Sequence, residues 1–401
     1  MGVWRMSIDP VRTLDPPMGL VSESAVYVPN EVGLWRTAGV LALGRASLPG
    51  FASAVGAFDV RKRDSITRGA GEAVERFALA PAPGDAEYLV APAGSVDERI
   101  DFITPGLGRP SALAYEFPWY RATNLLTGKA SQVPAPVVDY CPGHAKANPW
   151  DGFFDPSPNG AASGPSEDFA QCAGIGEVLE RDAFLAAWHQ RTPLLSFDVA
   201  RLPDDVRTTP EARNFLLLLD AARAADVEPL LAFVPQEGSP LVTAVCVIAV
   251  EGHFAAVGLK ASAHPVSALR GALQEGLQIR ELFQSRTASR TPAAVTDDDS
   301  RADFWATPAV IDGLLRWTRS FQPGGLPATQ PAPEVGSLVD YLAGRDIQTH
   351  WVSLSHRLPA AVRDMGWVAG KAVCPGAVPL TMDETKGLFL PGHFSTPHPL
   401  I

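Results

Sequence analysis

The sequence predicts an α+β fold, or equally a mixed-sheet α/β fold, on three observations. Amphipathic helical patterns and short apolar strand patterns both occur along the 401 residues. They alternate without the regular strand–helix–strand rhythm of a parallel sheet. Three of the predicted helices carry acidic residues at a related spacing. A chain of this length can bury a large core and form two or three domains.

The clearest helix covers residues 173–188, where apolar side chains recur at helical spacing. Further helices are predicted at 209–227 and 266–283 and one beginning at 336–342, and strands at 133–138 (an edge strand), 230–234, 241–250, 254–261 (returning across Glu251-Gly252), 349–354 and 367–373. Loops are predicted at 142–166, at 287–300 with its Asp297–Asp299 run, and at 322–334. Residues 1–50 are predicted to flank or complete a main domain at residues 51–401.

Charge and cysteine usage exclude several classes of protein. A net charge of −11 and a pI near 5.2 disfavour nucleic acid and anionic membrane surfaces as partners. The N-terminus lacks the apolar core of a signal peptide, and the sequence therefore predicts a cytoplasmic protein. Its four cysteines have no metal-site spacing, and Cys141-x-x-His144 has no second pair to complete it. We expect neither a stable zinc site nor a structural disulfide.

One acidic pattern recurs on three predicted helices. It is found as Glu72-x-x-Glu75-Arg76, as Glu177-x-x-Glu180-Arg181 and as Glu275-x-x-Gln278-x-Arg280. Residues three apart lie on the same face of a helix. A single copy is typical of a solvated helix surface. Three copies, each an acid with a second acid or amide and an arginine, indicate a shared purpose.

The chemistry of these side chains suits a metal and phosphate site. Mg²⁺ prefers oxygen ligands and is usually held by one or two carboxylates together with the phosphates of a nucleotide. Arginine binds phosphate oxygens bidentately. Neither a Gly-x-x-x-x-Gly-Lys-Ser/Thr loop nor a kinase glycine loop is present. Spacing alone therefore predicts a carboxylate-rich metal and phosphate site without naming its reaction.

The order of three segments, GEAVERFAL, SPNGAASGPSEDFAQCAGIGEVLERDAFLAAW and AVGLKASAHPVSALRGALQEGLQIR, resembles the YcaO-domain family. The resemblance covers roughly residues 50–401. It implies a YcaO-type fold in which the three helices converge on one cleft that binds ATP and Mg²⁺. It also implies roles for the motif residues, with Mg²⁺ held by Glu72, Glu75, Glu177, Glu180 and Glu275, and the nucleotide oriented by Arg76, Arg181, Gln278 and Arg280.

The last residues favour one branch of that family. The ending Pro397-His398-Pro399-Leu400-Ile401 is similar to the Pro-x-Pro-x-Pro tail of the azoline-forming members, with Ile401 replacing the final proline. The resemblance implies that this tail reaches the active site, where the carboxylate of Ile401 helps to move protons. It further implies a cyclodehydratase that forms thiazolines or oxazolines in a ribosomally made precursor peptide. The expected partners are that peptide and a ThiF-like leader-binding protein, and a homodimer with a second copy of the chain is a further expectation.

Four departures from the family pattern leave alternatives open. Gly69 stands where a serine is usual, and the segment Gly56-Ala57-Phe58 lacks the lysine of a Gly-Lys-Gly stretch. Pro165 interrupts the usual Gly-Asn-Thr, and Phe169 replaces a glutamate. A degenerate scaffold protein without ATP binding is therefore one alternative. An enzyme that makes a thioamide or an amidine is another.

Overall fold

The computed structural model describes residues 8–43, 54–81, 89–104, 106–140, 150, 152–250, 253–284, 286, 291–388 and 396–401. Its strands are β1 (Val21–Tyr27), β2 (Trp35–Leu41), β3 (Ala54–Asp59), β4 (Leu89–Pro92), β5 (Glu116–Asn124), β6 (Ala130–Pro134), β7 (Ala161–Gly164), β8 (Leu195–Phe197), β9 (Leu230–Phe233), β10 (Val242–Val250), β11 (Phe254–Ser262), β12 (Gln322–Gly324), β13 (His350–Ser353) and β14 (Val368–Val373). Its helices are α1 (Pro10–Thr13), α2 (Lys62–Leu79), α3 (Ala135–Val138), α4 (Glu167–Gln190), α5 (Asp204–Arg207), α6 (Pro210–Ala224), α7 (Pro265–Phe283), α8 (Asp298–Trp305), α9 (Pro308–Thr318), α10 (Val335–Ala343) and α11 (Ala360–Asp364).

The chain divides into two compact units. Unit 1 comprises Met1–Pro29, Leu34–Val178 and Glu334–Ala377, and unit 2 comprises Asn30–Gly33, Leu179–Pro333 and Val378–Ile401. The division falls inside α4, so Glu177 belongs to unit 1 and Glu180 to unit 2. The predicted boundary at residue 50 stays a prediction.

Unit 1 contains two antiparallel sheets. Strands β1, β2 and β3 form one sheet, and the other has the order β4-β5-β13-β14-β7 with β6 paired to β5. Helix α2, which carries the first acidic motif, packs on β2 and β3. The core beside β5 is aromatic, with the rings of Phe102, Phe117, Trp119 and Phe154 in mutual contact. Buried aromatic rings of this size contribute much of the burial energy of a core.

Unit 2 contains a five-stranded sheet of order β11-β10-β9-β8-β12, in which the β8–β12 pair is parallel. Helix α7, which carries the third motif, packs on β11 and β10. The approach to β11 is close, because a Cβ at Gly258 would overlap the backbone of Ala272 and Gly276. Glycine at position 258 therefore brings the backbone of β11 directly against α7.

The predicted α+β class is confirmed, and all three motifs lie on helices, namely α2, α4 and α7. Helix α4 begins at Glu167, earlier than the predicted 173. The edge strand predicted at 133–138 is wrong beyond Pro134, because residues 135–138 form the helical turn α3. Within the described part of the chain, none of the helices combines the length and apolar character needed to cross a bilayer.

The loop predicted at 287–300 is also partly wrong. Residues 287–290 lie outside the described residues, but the acidic run that follows begins a helix. The Asp297 side chain accepts the backbone N–H of Ser300 and caps α8, with Asp298 and Asp299 in its first turn. Acidic residues at the N-terminus of a helix interact favourably with the positive end of its dipole. Helix capping therefore explains the acidic run without a bound metal.

Candidate functional site

The first acidic motif forms its own ion-pair cluster on α2. Arg76 Nε lies 2.8 Å from Glu72 Oε1 and 3.9 Å from Glu75 Oε1. Burial lowers the pKa of Arg76, but the two carboxylates raise it above its ordinary value. The arginine therefore stays charged and neutralises the glutamates of its own motif.

Glu177, the first glutamate of the second motif, contacts a turn of unit 1. Its Oε2 accepts the backbone N–H of Gly160 at 3.2 Å. Gly160 has φ +82°, and a Cβ there would overlap the carbonyl oxygen of Ala372. Only glycine adopts this backbone conformation easily in so tight a space. The position of Glu177 thus depends on a residue outside the motif.

Lys371 of β14 is a second cation in unit 1, and its side chain is buried. Its Nζ donates to the carbonyl oxygens of Val137 at 2.8 Å, Val138 at 3.3 Å and Ser157 at 2.6 Å. Burial lowers the pKa of Lys371 to about 7, while Asp139 and then Glu177 act in the opposite direction. All three ammonium donors have acceptors.

In unit 2, Glu180 of the second motif and Glu275 of the third motif meet at the outer strand of the sheet. Glu275 Oε2 accepts the N–H of Leu259 at 2.5 Å, and Glu180 Oε2 accepts the N–H of Ala261 at 2.5 Å. Strand β11 is the end strand, so N–H groups on its outer side have no strand partner. The two carboxylates occupy these donors, and they come from different helices, α4 and α7.

Positive charge faces this carboxylate pair from two residues. Lys260 Nζ lies 3.5 Å from Glu180 Oε2. Burial, then the neighbouring Glu180 carboxylate, raises the pKa of Glu275 to about 7, while Arg181 and Lys260 act in the opposite direction. Two carboxylates held this close repel each other. A cation bound beside the two carboxylates would relieve that repulsion.

The remaining residues of the third motif have different surroundings. Arg280 is mostly buried, and its Nη1 lies 2.9 Å from Glu31 Oε1. Its Nε has no hydrogen-bond partner within the described residues. Gln278 is half-buried on the same helix. The predicted contact of both residues with a nucleotide stays a prediction.

The chain end of unit 2 is fixed by a buried arginine. Arg301 Nη1 donates to the carbonyl oxygen of His398 at 3.1 Å and to Glu384 Oε1 at 2.8 Å. Trp305 Nε1 donates to the same His398 oxygen at 3.0 Å. Pro399 is buried, whereas Pro397 and Ile401 are half-buried. Residues 396–401 thus have a defined position, and the catalytic role given to Pro397, Pro399 and Ile401 stays a prediction.

Two departures from the family pattern have a packing explanation. A Cβ at Gly69 would lie 2.8 Å from Thr37 Cγ2, so a serine would not fit there. The ring of Phe169 lies over Gly164, where a Cβ would overlap it. Phe169 is 55% exposed on the first turn of α4. An exposed phenylalanine cannot replace the missing carboxylate as a metal ligand.

Sequence reasoning missed several residues that the structure brings to the acidic motifs or to the chain end. Lys260 and Lys371 are each a single charge within an apolar strand pattern, GLKAS and AGKAV, and that isolation was the available signal. Glu31 and Arg301 carry no comparable signal. Their partners are 249 and 97 residues away along the chain.

The residues of unit 2 fit a divalent cation as far as their donor atoms show. Glu180 and Glu275 each use Oε2 for a backbone N–H, and no described residue donates to either Oε1. In the described part of the chain, no three His, Cys, Asp or Glu side chains gather as a metal site. Both observations agree with Mg²⁺, which is usually bound by one or two carboxylates together with phosphate oxygens.

The described cysteines are present as thiols. Cys172, Cys246 and Cys374 are not in disulfides within the described residues. Burial raises the pKa of the Cys246 thiol, so it disfavours the thiolate that a metal requires. Cys141 and His144, which the sequence pairs at metal spacing, lie outside the described residues.

Several solved structures share the fold of this chain. A heterocyclase in complex with substrate and cofactor matches with a TM-score of 0.71 at 16% identity, over 100% of this chain and 59% of that one. The YcaO protein of Methanopyrus kandleri, bound with AMPPCP and Mg²⁺, matches with a TM-score of 0.62 at 17% identity, over 92% of each chain. The E. coli microcin synthetase McbBCD complex with pro-MccB17 bound matches with a TM-score of 0.59 at 14% identity, over 88% of this chain and 87% of that one. At these identities the likeness shows a shared fold, and the chain spans about three fifths of the heterocyclase.

The family itself is identified from the sequence. The family model described as YcaO cyclodehydratase, ATP- and Mg²⁺-binding, matches residues 60–378. The chain therefore belongs to the YcaO family, and the predicted resemblance is confirmed. No curated protein matches the chain.

Proposed function

We propose that this protein is an ATP- and Mg²⁺-dependent cyclodehydratase that forms thiazoline or oxazoline rings in a ribosomally made peptide. The observation that carries the proposal is the pair Glu180 and Glu275, two carboxylates from separate motifs anchored 2.5 Å from adjacent outward N–H groups of β11. Anchoring one oxygen of each leaves the other to bind a cation. Membership of the family supports ATP and Mg²⁺ as the ligands.

The Glu180–Glu275 pair and the residues around it would each contribute to binding the metal and the nucleotide. Bound Mg²⁺ would supply the positive charge that offsets the triphosphate of ATP. Glu180 and Glu275 would bind it through Oε1, held in orientation by the N–H groups of Ala261 and Leu259. Arg181, which faces Glu275, would donate to phosphate oxygens. The work of these residues is positioning and charge stabilisation.

The proposed reaction removes one water per ring. A Cys, Ser or Thr side chain of the peptide gives up its S–H or O–H proton to a base and adds through its sulfur or oxygen to the preceding carbonyl carbon. The former amide oxygen receives the γ-phosphoryl group of ATP, and ADP leaves. Breaking of the C–O bond then expels phosphate, and loss of the nitrogen-bound proton leaves the C=N bond of the ring. Ile401, which is half-buried, is our candidate residue for accepting one of these protons.

The partners that we propose are a precursor peptide and a ThiF-like protein that binds its leader, with a second copy of the chain as a further possibility. Two structural neighbours support peptide binding, since one is a heterocyclase in complex with substrate and another is a synthetase complex with pro-MccB17 bound. Because the sequence identity to both neighbours is low, the peptide that this chain binds has to be identified by experiment.

Calorimetry with Mg²⁺ and a non-hydrolysable ATP analogue tests the proposal. Glu180→Gln keeps an acceptor for Ala261 but removes the charge, and we expect affinity to fall about 100-fold, as for loss of a charged ligand. Glu237→Gln, which changes an exposed glutamate of unit 2, is the control and should bind as the wild type does. With partner and peptide present, the mass lost per ring should be that of water. A gain of sulfur or an amidine product would identify another branch.

A scaffold without catalysis is the second candidate, and two observations favour it. Ala57 is buried where the family pattern has a lysine, and Phe169 is an exposed apolar residue where it has a glutamate. A protein that binds the precursor peptide or partner but no nucleotide, alone or in the complex, would support this candidate and exclude the enzyme.

A further inference from the structure

Lys260 lies between the two residues of β11 that hold the carboxylate pair. The N–H of Leu259 binds Glu275, the N–H of Ala261 binds Glu180, and the side chain of Lys260 extends from the strand between them. Its Nζ is 3.5 Å from Glu180 Oε2. The ammonium is thus a direct counter-charge for one of the two glutamates.

The aliphatic part of the Lys260 side chain packs against α7 at Gly271. A Cβ at Gly271 would lie 2.5 Å from Lys260 Cγ and 2.8 Å from its Cβ, so any other residue at 271 would displace the lysine. Glycine inside a helix costs about 1 kcal/mol relative to alanine. Its presence in the middle of α7 is explained by this contact with the lysine.

The two partners differ in their freedom to move. The side chain of Glu180 is 5% exposed and fixed by the N–H of Ala261, whereas that of Lys260 is 51% exposed. An exposed ammonium on a four-carbon stem can leave a carboxylate with little loss. The Glu180 carboxylate cannot move with the lysine, because the N–H of Ala261 holds it.

We propose that Lys260 is a built-in counter-cation of the Glu180–Glu275 pair, which a divalent cation must displace, so that this lysine lowers the affinity of the pair for Mg²⁺. The inference rests on the proposed function, because it takes the pair as a metal site. A cation of charge +1 held beside Glu180 offsets part of the field that attracts a second cation. The metal then binds firmly when phosphate oxygens supply the missing ligands.

The test measures metal binding without nucleotide. Mn²⁺ serves as the probe, because the spectrum of the free ion reports binding directly, and Mg²⁺ is added as the competitor. Lys260→Met, which keeps the length and removes the charge, should bind Mn²⁺ about tenfold more tightly than the wild type. Lys260→Arg should bind as the wild type does. Lys129→Met, an exposed lysine of unit 1, is the matched control and should change nothing.

A second variant moves the lysine without removing it. Gly271→Ala should displace the stem and shift Mn²⁺ affinity in the same direction as Lys260→Met. Adding Glu180→Gln to Lys260→Met should cancel the gain, which assigns it to this pair.

Unchanged or weaker Mn²⁺ binding by Lys260→Met would overturn the inference. Weaker binding of the Mg²⁺–nucleotide complex with unchanged Mn²⁺ binding would also overturn it and make Lys260 a phosphate ligand. Both results leave the proposed function intact if the wild type binds that complex. If the wild type binds neither the metal nor the complex, with its partner or alone, the proposed function fails as well.

Discussion

Lys371 of unit 1 and Lys260 of unit 2 are the same residue in similar strand sequences, yet their surroundings are opposite. Lys371 is 3% exposed and donates to three backbone carbonyl oxygens. Lys260 is 51% exposed and faces the single carboxylate of Glu180. The first lysine joins the end of α3 to the segment at Ser157 within unit 1. The second, by our proposal, gives up its carboxylate partner to another cation.

The difference teaches that the hydrogen-bond partners of a lysine, more than its residue type, decide whether its charge serves to stabilise the fold. Carbonyl oxygens from distant segments satisfy an ammonium and cannot be replaced by solvent once they are buried. A carboxylate whose partner is an exposed lysine, as for Glu180, would exchange that lysine for a metal ion under our proposal. Lys371 therefore belongs to the stability of unit 1, and Lys260 belongs to the chemistry proposed for unit 2.

The largest expected effect separates the two lysines by stability. Lys371→Met leaves three buried carbonyl oxygens without a donor and should lower the free energy of unfolding by about 3 kcal/mol. Lys260→Met should change it by less than about 0.5 kcal/mol, because exposed ion pairs contribute little. Chemical denaturation of both variants measures the two values. Equal losses would show that the environments are not as different as their hydrogen bonds indicate.

Much of this arrangement could be predicted from the sequence. The three acidic motifs and their order in the chain carried the resemblance to the YcaO family. The spacing of three residues placed the two carboxylates of a motif on one helix face. The strands β9, β10 and β11 were predicted to within a residue or two at their ends, since their apolar runs are bounded by turn residues.

What the sequence did not predict depends on distant partners. Nothing near Glu180 in the chain indicates that Ala261 would hold it, since 81 residues separate them. The run at Asp297 was assigned to a loop because capping and loop sequences share the same residue types. Helix α9 was missed although apolar Ile311, Leu314 and Trp317 recur at helical spacing and are buried.

A smaller effect is expected from His350, a buried base on the strand next to Lys371. Its Nδ1 lies 2.8 Å from Ser131 Oγ and its Nε2 3.1 Å from Gln348 Oε1, contacts that suit a neutral ring. Burial lowers the pKa of His350 from 6.5 to about 4. The unfolded chain therefore binds more protons than the folded one between those values, and stability is lost as the pH falls through them.

The variant His350→Asn isolates this contribution. The wild type should lose about 1 kcal/mol of stability per pH unit more than the variant between about pH 6 and pH 4.5. Urea denaturation at several pH values measures the difference. If the stabilities of the wild type and the variant changed in parallel with pH, His350 would have, like Lys371, acceptors that stabilise its charged form.

Arg280 provides the smallest and last contrast, because it lies between the two lysines in exposure. Its side chain is 13% exposed, but its partner Glu31 is 54% exposed. A pair with one partner in solvent is screened, so Glu31→Gln should lower the free energy of unfolding by about 0.5 kcal/mol. The loss should shrink in high salt, where the Debye length is short. Denaturation in low and high salt checks both, and a salt-independent loss above about 2 kcal/mol would place Arg280 with Lys371 as a structural cation rather than with Lys260.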